Sequence, residues 1–192
     1  MSRRAAIADA AITTLARDGM RGLTHRAVDR AAGLPEGSAS YYFRTRQALL
    51  KATVERLAEL DSAEILPSTS LPAQSGHELD AFAAAAAAII ENWLTTGRER
   101  QLARYELALE ATRRPELRDA LVASGAAIRA MVASQFAAAG IRQPGQRAAD
   151  FVAFIDGLVF DQIAGAGSRN LTSADLRAAI RALLAAVIGT GT

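Results

Sequence analysis

The chain has 192 residues, 51% of them hydrophobic, with 22 lysines and arginines against 20 aspartates and glutamates, a formal net charge of +2 and no cysteine. That length carries one large or two small domains with a buried core, and the lack of cysteine excludes a disulfide framework and any thiolate metal site, which fits a reducing cytoplasm. The charge is uneven: residues 1–51 hold nine basic against four acidic side chains (+5) and residues 52–192 thirteen against sixteen (−3), so a basic quarter suited to a polyanionic partner, or simply a solvated face, precedes a mildly acidic remainder.

The opening stretch MSRRAAIADAAITTLARDG sets arginines ahead of apolar residues, but Asp9 interrupts them and no cleavage pattern follows, so it reads as a helix and not as an export signal. This first helix is expected from about Arg3 to Asp18, with Ile7, Ala11 and Leu15 one turn apart and Gly19 as the left-handed residue that ends it. Thr24 is a good N-cap for a short second helix, about His25 to Ala32, that stops at Gly33. A third is expected to begin near Pro35, whose fixed φ and missing N–H suit a first turn. Thr45 caps a fourth, on which Leu50, Val54 and Leu57 share a face, running over 46–62 until ILPSTSLPAQSG (65–76) breaks the pattern.

Further helices are expected near 77–96, 99–112, 115–139, 145–165 and 172–188, with Pro115, GIRQPG (140–145) and GAGSRN (165–170) at the joints. Nothing alternates with period two for long enough to form a strand, so the fold class is all-α. The longest apolar run, AFAAAAAAII (81–90), is closed by Asp80 and Glu91 after ten residues, about half of what a bilayer crossing needs, so no membrane span is expected. In the last helix, Thr172 and Asp175 have capping-box spacing, and Leu171 and Leu176 have that of a hydrophobic staple. Leu176, Ile180, Leu183, Leu184 and Val187 form one apolar stripe, while Phe151, Val152, Phe154, Ile155, Leu158, Val159 and Ile163 wrap most of the way round the preceding helix. A helix apolar on several sides must be covered on several sides. A second subunit is one cover, with Phe151, Ile155, Leu158, Ile180, Leu184 and Val187 as the expected interface; an intrachain core is the other.

Two short helices joined at a glycine turn near a basic end have the form of a helix-turn-helix, whose second helix enters the DNA major groove. Gly37, Ser38, Ala39 and Ser40 are small enough to let that helix approach the duplex. Tyr41 and Tyr42 offer a flat apolar body and a hydroxyl for phosphate oxygens, and Phe43 anchors the three-helix core. Arg46, in the first turn of helix four, is placed to add a charge-assisted contact to a phosphate.

At these residues the chain resembles the TetR family of bacterial transcriptional repressors. The resemblance is carried by Thr24, Ala32-Gly33, Gly37-Ser38-Ala39-Ser40-Tyr41-Tyr42-Phe43, Thr45-Arg46-Gln47 and Leu49, and it covers roughly residues 3–60. Three positions depart from the family pattern: Ser40 stands where a phosphate-contacting tyrosine is usual, Asp29 where a small alanine packs the second helix on the third, and Arg46 where lysine is usual. Asp29 is expected to face solvent or to pair with Arg26 or Arg30. The expected DNA-contacting set is Thr24, Arg26, Pro35, Glu36, Gly37, Ser38, Ser40, Tyr41, Tyr42 and Arg46.

The resemblance implies an N-terminal DNA-binding domain (1–47), helix four as connector, and a larger helical domain (48–192) that holds a small effector and dimerises. It also implies a bacterial cytoplasmic location and a palindromic double-stranded operator. Candidate pocket residues are Phe82, Trp93, Tyr105, Glu106 and Phe154, although aromatics at helical spacing also serve as core, and Glu106 and Glu110 could equally face water. No cofactor or metal is expected. His25 and His77 are the only histidines and lie outside any Glu-x-x-His spacing, and no phosphate loop or nucleophile motif is present, so an enzyme is disfavoured. An architectural DNA-coating protein fits the head but leaves the acidic helical body without a role.

Overall fold

The computed structural model describes residues 2–65, 76–167 and 170–189. Nine helices follow one another among them: α1 (Arg3–Gly22), α2 (His25–Ala31), α3 (Ser38–Tyr42), α4 (Arg46–Ile65), α5 (Gly76–Leu94), α6 (Arg98–Ala111), α7 (Pro115–Ala138), α8 (Pro144–Ile163) and α9 (Ser173–Gly189). No strand occurs among the described residues, so the chain is all-α. The break at 65–76 lies, apart from its first and last residues, outside the described residues, as do residues 168–169 of the joint at 165–170 and the side chain of His77.

The chain divides into two compact units, Met1–Asp61 with Gly97–Gly125, and Ser62–Thr96 with Ala126–Thr192. The first unit takes in α6 and parts of α4 and α7 as well as α1–α3, and the reason lies in α1. That helix buries Ile7, Ala8, Ala10, Ala11, Ile12, Thr14 and Leu15, more than one face of it. The short α2 and α3 cannot cover so much. Leu49, Leu50, Val54 and Leu57 of α4, Ala103 and Leu107 of α6 and Leu117 of α7 therefore close the same core, together with Leu23, Val28 and Phe43. The buried hydroxyls of Thr14 and Thr53 donate to the carbonyls of Ala10 (2.7 Å) and Leu49 (2.8 Å) four residues back, so neither is left unpaired. Arg56 ties α4 to α1 through Asp9 at 2.7 and 3.3 Å, and its hydrogen bonds to Asp9 and then Glu59 raise its pKa.

Gly19 interrupts α1 with φ 67°, as a left-handed residue at the end of the first helical run should. The carboxylate of Glu106 on α6 fills the bend, 3.6 Å from where a Cβ on Gly19 would lie, and accepts the Met20 N–H at 2.9 Å.

In the second unit α5 packs on α8 and α9. Its core joins Phe82, Ala87 and Ile90 of α5, Val132 and Phe136 of α7, Phe151, Ile155 and Val159 of α8, and Leu176, Ile180, Leu184 and Val187 of α9. The Phe151 ring meets Phe82 at 6.0 Å and Phe136 at 5.6 Å between centroids. The α7–α8 joint is a Schellman turn: Gly140 has φ 72°, its N–H bonds Ala137 O at 3.0 Å, and the Ile141 N–H bonds Phe136 O at 2.9 Å. The capping box of α9 is formed, with the Asp175 carboxylate accepting the Thr172 N–H at 2.9 Å and the Thr172 hydroxyl accepting the Asp175 N–H at 3.2 Å.

This packing bears on the interface expected from the apolar stripes. Phe151, Ile155, Ile180, Leu184 and Val187 are all buried within the single chain, and Leu158 is half-buried. α5 covers the α9 stripe, so those residues form core. The large apolar residues that α8 leaves in solvent are Phe154 (56% exposed) and Phe160 (45%), with open space over Gly157 between them.

The expectation about membrane spans also needs adjustment. α7 is long and apolar enough to cross a bilayer, with a mean hydropathy of 1.3 over its best window. Leu117, Val132 and Phe136 on it are buried.

Candidate nucleic-acid interface

The interface grows out of the end of α2. Thr24 is extended and its hydroxyl accepts the Ala27 N–H at 3.1 Å, the N-cap role expected of it. At the other end Gly33 takes φ 62°, its N–H bonds Arg30 O at 3.2 Å, and the Leu34 N–H bonds Asp29 O at 2.9 Å, which is a second Schellman turn. The third helix starts later than expected. Pro35 lies in the preceding turn, and Gly37, with φ 95°, is the N-cap of α3. A left-handed φ with open space around the site makes glycine a backbone requirement there.

α3 buries Ala39 fully and turns Ser40 and Tyr41 outward, Tyr41 being 78% exposed. Ser38 and Tyr42 are half-buried, and the Tyr41 and Tyr42 rings meet edge to face at 5.2 Å. The hydroxyls of Ser38 and Ser40 donate to Pro35 O (2.7 Å) and Gly37 O (3.2 Å). Arg26 on α2 and Glu36 in the turn are exposed and form an ion pair across the front of the motif. Such a pair adds little stability in water. Phe43 is the core anchor, 3% exposed, with the Arg4 guanidinium 4.5 Å above its ring and the His25 Nε2 within 2.7 Å of its carbonyl oxygen.

Two residues behave differently from expectation. Asp29 neither faces solvent nor pairs with an arginine: it is 2% exposed, and its two carboxylate oxygens accept the N–H groups of Gly37 (2.8 Å) and Ala39 (2.7 Å). The start of α3 lies directly over it, and two backbone donors satisfy a buried carboxylate. Arg46 turns inward, donating to the carbonyls of Leu23 and Met20, because the last turn of α1 leaves those carbonyls without helical partners. The cation exposed at this end of α4 is Arg44, which the sequence reading did not single out. Its place directly after Phe43, whose ring is committed to the core, was the available signal.

The expected pocket residues fall in both units. Tyr105 and Glu106 belong to the first unit, and Phe82, Trp93 and Phe154 to the second. Phe82 is core, Phe154 is on the surface, and Glu106 is engaged with Met20. Tyr105 is half-buried, as is Trp93, whose indole N–H donates to the Glu64 carboxylate at 2.9 Å. Among the described residues no cluster of three or more His, Cys, Asp or Glu side chains could hold a metal.

Comparison with known proteins agrees with this geometry. The family model described as "Bacterial regulatory proteins, tetR family" matches residues 7–53, and that described as "Tetracyclin repressor-like, C-terminal domain" matches residues 77–190. No curated protein matches the chain. A TetR-family member from Streptomyces coelicolor is similar in structure, with TM-score 0.74, 29% identity and coverage of 95% of this chain and 98% of that one. The multidrug binding protein EbrR complexed with ethidium gives TM-score 0.71 at 27% identity, covering 95% and 98%. A transcriptional regulator from Rhodococcus sp. Rha1 gives TM-score 0.77 at 19% identity, covering 98% and 97%, a likeness of fold alone. With both halves of the chain matched and the helix-turn-helix formed, the protein belongs to the TetR family of bacterial transcriptional regulators.

Proposed function

We propose that this regulator is a cytoplasmic repressor that binds a palindromic operator as a homodimer and is released by a small apolar or amphipathic molecule. One observation carries the DNA-binding part: α3 turns Ser40 and Tyr41 outward beside Arg26 and Glu36, at the basic end of the chain. Sequence reading falls to Ser38, Ser40 and Glu36, and phosphate contact to Tyr41, the Tyr42 hydroxyl, Arg44 and the backbone around Thr24. Residues 1–47 serve as the DNA-binding domain, α4 connects, and the remainder holds the effector and the partner subunit.

Dimerisation is proposed through the outer face of α8, where Phe154 and Phe160 flank Gly157. Two aromatic rings around a glycine allow a second helix to approach closely. The effector class is supported by EbrR, a multidrug binding protein with structures bearing ethidium, proflavin and malachite green at 27–28% identity. We place the effector near Trp93, the only tryptophan, beside Glu64.

Release follows from geometry. A two-fold dimer presents its recognition helices to successive major grooves about 34–36 Å apart, so a ligand that favours another spacing weakens DNA binding. A hundredfold loss requires a coupling free energy of roughly 2.7 kcal/mol, and the operator must weaken the ligand by the same factor. The test is a titration of ethidium followed by Trp93 fluorescence, with a duplex from upstream of the protein's own gene and with an unrelated duplex of equal length, which takes up ethidium by intercalation to the same extent. Weaker ethidium binding in the presence of the upstream duplex is expected, and equal affinity in both conditions would remove it as an inducer. An effector-independent DNA-coating protein would show no footprint surviving excess nonspecific DNA.

A further inference from the structure

We infer that Asp29 is a positioning residue for operator reading, a single buried side chain that sets where α3 begins and how it is aimed. α3 has five residues, too few to persist alone. Its N-cap, Gly37, has no side chain to accept the first N–H groups, which no helical carbonyl can reach. Asp29 supplies two of the missing acceptors, Oδ2 to the Gly37 N–H at 2.8 Å and Oδ1 to the Ala39 N–H at 2.7 Å. Its backbone acts as well, since the Asp29 carbonyl accepts the Leu34 N–H at 2.9 Å in the turn that ends α2.

One residue thus closes α2 with its carbonyl and opens α3 with its carboxylate, bracketing residues 34–39. It is 2% exposed and touches no DNA-facing surface, so its effect on recognition passes through the direction of Ser38, Ser40 and Tyr41. The alanine usual at this position could accept neither N–H. Asparagine would keep one acceptor and point an amide donor at the other N–H.

This inference rests on α3 being the DNA-reading helix, and the experiment separates the two. Wild-type protein first selects from a randomised 30-base-pair duplex library; the enriched duplex and an unrelated one of equal length are the probes. For Asp29→Asn, affinity for the enriched duplex should fall roughly ten- to hundredfold, as expected for a charged hydrogen bond replaced by a donor–donor contact. Affinity for the unrelated duplex should stay within about twofold and the salt slope should be unchanged, because Arg44, the charged phosphate contact, lies outside α3. Equal loss on both duplexes would show a merely structural role and overturn the inference, as would no loss on either. Failure of the wild type to enrich any sequence would instead overturn the reading of α3, and this inference with it. If Asp29→Asn does not fold, amide exchange of the wild type decides: Gly37 and Ala39 should be protected far beyond first-turn amides, and exchange at the rate of free amides would refute the capping.

Discussion

Replacing Arg46 with alanine distinguishes a phosphate contact from a structural brace. The guanidinium donates to Leu23 O and, at 2.5 Å, to Met20 O, the carbonyls that end α1. A hydrogen bond from a charged donor contributes about 1.5–3 kcal/mol when buried, and the half-exposed setting places each near the lower end, so Arg46→Ala should cost roughly 2–4 kcal/mol. At about 2–4 °C per kcal/mol for a chain of this size, the melting temperature should drop by roughly 5–15 °C. Arg46→Lys should lose about half as much, since one ammonium cannot span both carbonyls. Thermal melts by circular dichroism measure this, and anisotropy on a nonspecific duplex across a salt series measures the phosphate count. Arg44→Ala should show the converse pattern, with unchanged stability and a salt slope lower by about one. If Arg46→Ala melts with the wild type while its salt slope falls by about one, the brace assigned here is wrong.

The other substitutions address packing and assembly. Phe154→Glu should convert a dimer into folded monomer in sedimentation, whereas Leu184→Glu, which puts a charge at a site 1% exposed, should unfold the second unit and remove helical signal. Phe136→Ala, at a fully buried ring set edge to face with Phe151, should cost about 3–5 kcal/mol in urea unfolding; a loss below about 1 kcal/mol would mean that this core is not packed as described. Glu106→Ala leaves the Met20 N–H without its acceptor, so that amide should exchange faster and stability should fall by about 1–3 kcal/mol.

The helices were legible because the signals that define them are local. Thr24, Thr45 and Thr172 all cap as their positions suggest, with Thr45 accepting the Ala48 N–H at 3.0 Å, and Gly19, Gly33 and Gly140 take the positive φ that ends a helical run. Each of these interactions spans at most five residues. What covers an apolar stripe is not local. Periodicity showed that Ile180, Leu184 and Val187 share a face, but whether α5 of the same chain or a second subunit lies on it depends on contacts almost a hundred residues apart. The alanine-rich α5, flat enough to sit closely on α9, takes that place and pushes the proposed interface to Phe154 and Phe160.

The partners of two charged side chains were not legible for a related reason, which concerns charge. A charged residue on a predicted helix invites pairing with neighbours three or four positions away, so Asp29 was matched with Arg26 and Arg30 and Arg46 with an external phosphate. In the folded chain both meet backbone. The carboxylate of Asp29 finds N–H groups eight and ten residues on, and the guanidinium of Arg46 finds carbonyls twenty-three and twenty-six residues back. Short helices explain the first case, and the carbonyls at the end of α1 the second. A helix of five or seven residues has most of its N–H or C=O groups outside the i→i−4 ladder, so a motif made of such helices carries many unpaired backbone groups close together. A buried or half-buried charge there gains more from two backbone partners, already fixed in place, than from a flexible side chain in water. Arg44, and not Arg46, is the arginine exposed between α3 and α4.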